Sequence, residues 1–142
     1  RAPFAQIRMD GRDMTIDENG TVLSNRFDLD NRLPLITGVH PLKAQFSTGS
    51  YIENRDLQLA IEIIKAFGSE KLLSFYKISK LDMSNLSEIY FYIADNLRII
   101  IDEEDFDNKL KVLGLLLSQA KIEPQSIKYI DLRFKEPILG KR

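Results

Sequence analysis

The sequence contains no cysteine and no tryptophan, and its single histidine is His40. Without thiols there is no disulfide framework, no thiolate zinc site and no cysteine nucleophile. Positive charge is not in surplus either. Lys and Arg total 20 against 21 Asp and Glu, for a net charge of −1. A general nucleic-acid binder needs a basic excess to neutralise phosphates, so that class is set aside. Long hydrophobic runs are also missing. The longest are 112–117, interrupted by Gly114, and 99–101, far short of the roughly 20 residues that span a bilayer. No signal-peptide pattern opens the chain. It begins on Arg1 and not on Met, and the expectation is a processed product or an excised piece, so the lack of an anchor here does not show that the parent lacks one.

What is present is the make-up of an ordinary globular domain: 142 residues, 44% hydrophobic and 29% charged. That length supports one domain with its own core and not two, so 1–142 is read as a single domain. The first third reads as strands and turns. Residues 4–9 show loose alternation and end at the turn signal Asp10-Gly11. Met14-Thr15-Ile16 and Thr21-Val22-Leu23 flank Asp17-Glu18-Asn19-Gly20, a hairpin closed by Asn-Gly, two residues that tolerate positive φ. Residues 38–53 form a loop leading to a helix. Asn54 is its N-cap, Leu57, Ala60, Ile61, Ile64 and Phe67 are its apolar stripe, and Gly68 is its C′ stop. Strands follow at 73–78, at 88–94 and, after an Asp95-Asn96 turn, at 97–101. In 88–94, Ile89, Phe91 and Ile93 share one face, and Tyr90 and Tyr92 share the other. A second helix carries Phe106, Leu110, Leu113 and Leu117, and 127–134 is the last clear strand. The order of elements predicts an α+β fold: a mostly antiparallel multi-stranded sheet with two helices packed on one face.

Candidate chemistry is sparse. The acidic cluster 102–107 could bind a divalent metal or do acid–base work. Carboxylates at a helix start also serve the helix dipole, and the structural reading is preferred. Asp17, Glu18 and Asn19 lack the alternate spacing of an EF-hand calcium loop. His40 precedes Pro41 without an accompanying nucleophile and orienting group, and no G-x-S-x-G elbow, P-loop or G-x-G-x-x-G is present. Asp131 and Arg133 stand at i and i+2 and form a structural charge pair, with Leu132 and Phe134 pointing the other way, into the core. No catalytic residue, metal ligand, cofactor or small-molecule substrate is called for.

The segment Tyr129-Ile130-Asp131-Leu132-Arg133-Phe134 resembles the closing strand of the FtsQ/DivIB family of bacterial cell-division proteins, which carries Y-I-D-L-R-Y/F near its C-terminus. Further segments fall in the matching order. Arg1-Ala2-Pro3-Phe4-Ala5 resembles the family's E-R-x-P-x-A exit from a preceding POTRA subdomain. Residues 16–23 resemble its D-x-x-G hairpin, Leu33-Pro34-Leu35-Ile36-Thr37-Gly38 its L-P-x-l-x-G turn, and 97–113 its penultimate strand and helix. The resemblance implies the family's β domain, a non-enzymatic scaffold outside the cytoplasmic membrane at the septum, whose partners are FtsB (DivIC) and FtsL. It further implies docking on the last strand. Phe134 supplies an aromatic, Lys135 and Glu136 the turn, and Ile138, Leu139, Gly140 and Lys141 an edge to which a partner strand is added. Pro137 lacks an N–H, so pairing is expected to begin at Ile138. Where some members have a basic pair that holds an acidic residue of the partner, this chain has Ser87-Glu88, so that salt bridge uses another cation, Arg98, Lys141 or Arg142, or is absent. Two other readings stay open: a metal-dependent hydrolase using 102–107, and an interaction domain of the same fold with a different partner.

Overall fold

Gly11 takes φ 75°, a conformation open to glycine without a steric cost, and turns strand β1 (Ala5–Met9) back onto β2 (Arg12–Ile16). The computed structural model describes residues 2–9, 11–24, 33–39, 47–119 and 121–142, so Arg1, Asp10, His40 and Pro41 lie outside it. A second hairpin joins β2 to β3 (Val22–Ser24). Here only Gly20 has positive φ (95°), and Asn19 does not share it. Asp17 does the work of the turn instead. Its carboxylate Oδ1 accepts the backbone N–H groups of Asn19 and Thr21, each at 2.9 Å.

Strand β4 (Leu35–Thr37) precedes helix α1 (Arg55–Ser69). Asn54 caps α1, its side chain accepting the Leu57 N–H at 3.0 Å. The buried stripe is Leu57, Ala60, Ile61, Ile63 and Phe67, so Ile63 faces inward where the sequence suggested Ile64. Gly68 is not the stop. It lies inside the last turn, and the chain leaves the helix at Glu70, whose N–H bonds the Phe67 carbonyl at 3.2 Å. The expected strand at 73–78 is absent as well. A 3₁₀ turn occupies Lys71–Leu73, and the strand β5 comes later, at Lys80–Asp82. Leu73 and Ile78 are both buried while Phe75 between them is exposed. A looped backbone delivers that pattern, and an alternating strand does not.

Strands β6 (Ile89–Ile93) and β7 (Leu97–Ile101) form a hairpin across a 3₁₀ turn in which Asn96 has φ 58°. Helix α2 (Phe106–Leu117) buries Leu110, Leu113, Gly114 and Leu117. Strand β8 (Ile127–Asp131) and β9 (Ile138–Lys141) finish the fold. All nine strands make one sheet, in the order β3-β2-β1-β4-β5-β6-β7-β8-β9. Three pairs are parallel (β1/β4, β4/β5 and β7/β8) and the other five antiparallel. The result is an α+β fold on a mostly antiparallel, mixed sheet. Helix α1 lies on the face carrying Ile7, Ile36, Leu81, Phe91, Ile99 and Ile130, and the Phe67 ring meets Phe91 edge-on at 5.6 Å. Helix α2 packs beside α1 and adds its leucines to the same core.

Candidate docking edge

Strand β8 is covered on both sides in the plane of the sheet, by β7 and β9, whereas β9 ends the sheet. The register pairs Asp131 with Ile138, Ile130 with Leu139 and Tyr129 with Gly140. Pairing thus begins at Ile138, as the missing N–H of Pro137 requires. An antiparallel strand bonds its neighbour through alternate residues, so along β9 the remaining N–H and C=O groups face outward, where no described strand lies.

Three local devices hold this edge. Gly140 lies under the Tyr129 ring so closely that a Cβ there would come 2.0 Å from Tyr129 Cε2. The ring covers bare backbone that has no side chain of its own to shield it. At one end, Arg142 donates its backbone N–H to the Ser126 carbonyl (3.2 Å) and its Nε–H to the Ile127 carbonyl (3.1 Å). At the other end, Asp131 is buried (6% exposed) and fully engaged. Arg133 donates its backbone N–H to Asp131 Oδ1 (3.1 Å), Nε–H to Oδ1 (3.0 Å) and Nη2–H to Oδ2 (2.7 Å), and it spends Nη1 on the Ser87 carbonyl (3.2 Å). Burial alone pushes the Asp131 carboxyl up. The Arg133 hydrogen bonds and the charges of Arg133 and Arg98 outweigh it, so the pKa lies below the ordinary carboxylate value.

Asp131 and Arg133 therefore pair as expected, but Phe134 does not point into the core. Strand β8 stops at Asp131, alternation stops with it, and Leu132 stays inside by bonding its N–H to the Ile100 carbonyl at 2.9 Å. Phe134 is left 55% exposed, with the Arg133 guanidinium carbon 5.4 Å from its ring centroid. Ile138 and Leu139 are exposed beside it, and so are Lys135, Glu136 and Lys141. Seven large hydrophobic side chains are exposed among the described residues, and three of them, Phe134, Ile138 and Leu139, gather at this edge.

Of the cations suggested for a partner's acidic residue, Arg142 is already committed to the backbone of β8. Arg98 lies 4.3 Å over the Tyr90 ring, on the face opposite the helices, with a buried Nε that has no hydrogen-bond partner. Lys141 is exposed at the edge itself. Sequence reasoning missed the Tyr129–Gly140 contact, although a glycine in a short edge strand after a strand that carries a tyrosine is its signal. It also missed the Thr37–Asp82–Ser84 cluster. There the Thr37 hydroxyl and the Ser84 N–H both donate to Asp82 at 2.9 Å, around a Gly38 (φ 74°) whose Cβ would strike Ser84 Oγ at 2.3 Å.

The acidic cluster is arranged for structure. Asp102 accepts from Lys109 and from the Glu104 N–H, Lys109 also donates to the Glu104 carbonyl, and Glu103 lies 3.7 Å from Arg55. Among the described residues no three His, Asp or Glu side chains converge as a metal site. No helix among them is long and apolar enough to cross a membrane.

Residues 5–133 match the family model described as "Cell division protein FtsQ/DivIB, C-terminal", so the matched span ends at Arg133, just before Phe134. No curated protein matches the chain.

Proposed function

The chain belongs to the FtsQ/DivIB family of cell-division proteins, and from that premise we propose that it is a non-enzymatic divisome scaffold that takes up an FtsB/DivIC-type partner by strand addition on β9. With FtsL in the same complex, it helps regulate septal peptidoglycan synthesis on the extracytoplasmic side of the cytoplasmic membrane. The observation that carries this reading is the free flank of β9 beside three exposed apolar side chains, Phe134, Ile138 and Leu139. A row of unpaired amides supplies main-chain affinity, and alternate side chains supply selectivity. Ile138 and Leu139 lie on opposite faces of β9, so an added strand meets one apolar contact on each. The exposed Lys141 continues the edge and offers a charge to an acidic residue of the partner.

The test is a titration of the chain with the extracytoplasmic segment of the FtsB/DivIC-type protein from the same organism. Two altered forms run alongside: a double Ile138→Ser/Leu139→Ser variant and a chain truncated after Phe134, each checked for folding by its melting curve. The double variant is expected to bind at least about tenfold more weakly, because each exposed aliphatic side chain contributes on the order of 1 kcal/mol when covered. The folded truncated chain is expected not to bind. Equal binding by all three forms removes strand addition at β9 while leaving the family role intact.

A further inference from the structure

The exposed hydrophobic side chains of the described residues fall into two groups, apart from Tyr51. One is the β9 edge. The other is Leu72 (48% exposed), Phe75 (94%) and Leu115 (57%) on the helix side of the molecule. These three come from two adjoining elements, the turn at Lys71–Leu73 with its continuation, and the C-terminal half of α2. The joint is tight. Leu72 packs over Gly114, where a Cβ would come 3.0 Å from Leu72 Cβ, and this places Leu72 next to Leu115.

The two segments between Glu70 and Asp82 and between Asp107 and Glu123 carry charge of one sign. Residues 71–81 and 108–122 contain no Asp or Glu, while Lys71, Lys77 and Lys111 are all exposed within them. None of these three ammonium groups has an ion-pair partner among the described residues. In a chain of net charge −1 this is a marked local excess, offset by the carboxylates at the opposite end of α2. A groove for a peptide half-buries the side chains that form its walls, but Phe75 projects almost wholly into solvent.

We propose that this patch is a seat for an anionic lipid surface. The Phe75 ring and the two leucines enter the boundary between headgroups and acyl chains, and Lys71, Lys77 and Lys111 lie among the lipid phosphates with their methylene stems along the apolar side chains. The proposal is independent of the docking edge and stands or falls separately from it.

The experiment is co-sedimentation of the 142-residue chain with two kinds of vesicle: phosphatidylcholine alone, and equimolar phosphatidylcholine and phosphatidylglycerol. Binding is expected to the anionic vesicles only and to weaken with added salt. Each of Lys71→Gln, Lys77→Gln and Lys111→Gln is expected to weaken it about fivefold. Phe75→Ser, at a site with almost no packing to lose, is expected to weaken it about tenfold with an unchanged melting temperature. The Ile138→Ser/Leu139→Ser form is expected to bind vesicles as the parent does. The proposal is overturned by equal binding to both vesicles, by binding to neither, or by a Phe75→Ser variant that binds like the parent. Capture by an acidic amphipathic peptide in place of vesicles also overturns it.

Discussion

The Asp131 carboxylate accepts four hydrogen bonds from Arg133, counting the longer Nε–Oδ2 contact of 3.3 Å, inside a nearly closed environment. Its folded-state pKa lies below the ordinary 3.8. The stability it contributes is therefore present above that value and is lost as pH falls through the folded-state pKa. Asp82, held low against its own burial by Ser84, Thr37 and Lys80, acts with the same sign. Asp131→Asn is expected to cost about 1–3 kcal/mol at neutral pH, because the amide keeps one acceptor oxygen but loses the charge and turns an N–H donor toward Arg133. Melting curves between about pH 2.5 and 7 should then show a shallower acid limb for the variant than for the parent, in the range where model carboxylates titrate. Gly140 allows a second test. Gly140→Ala is expected to cost about 1–2 kcal/mol because the new methyl displaces the Tyr129 ring. In a Tyr129→Ala background the same change is expected to cost less, and a double-mutant cycle measures the difference. The charge pair was legible from i and i+2 spacing alone. The exposure of Phe134 was not, because the alternation that would bury it depends on β8 continuing past Asp131.

At the scale of single elements the sequence was most informative where a local rule and the core agreed. Asn54 illustrates this. Its side chain satisfies one of the first free N–H groups of α1, and Asn54→Ala is expected to lower stability by about 1 kcal/mol, read from denaturant midpoints. Strand β7 and helix α2 were equally legible, since Phe106, Leu110, Leu113 and Leu117 keep strict helical spacing. The stretch after α1 was not. Leu73 and Ile78 read as members of a strand, yet Leu73 reaches the core from the 3₁₀ turn that packs against α2, and Ile78 from the irregular stretch after it. Gly68 misled for a related reason. The last turn of α1 is drawn on by Phe67 packing against Phe91, which outweighs the modest cost of a helical glycine.

Strand order belongs to the whole molecule, and it was the least legible property. Alternating hydrophobicity says which face a residue takes and not which strand lies beside it. The parallel neighbours β1/β4, β4/β5 and β7/β8 therefore had no local sign. Phe91 lies near the middle of the order, fully buried and meeting Phe67. Phe91→Ala is expected to remove about 3–5 kcal/mol, which lowers the melting temperature by roughly 10 °C or more in a chain of this size. The β8/β9 hairpin has a mechanical consequence too. Its open end is the Ile127–Lys141 pair, and its closed end is Asp131–Ile138. Tension drawn off at Lys141, across the strands, opens such a ladder like a zip, one pair at a time from the open end. Arg142 fastens that end through Ser126 and Ile127. A load carried along β9 by a paired strand is different. It pulls on every rung at once and meets the full strength of the hairpin, so the edge resists most in the direction in which an added strand would pull.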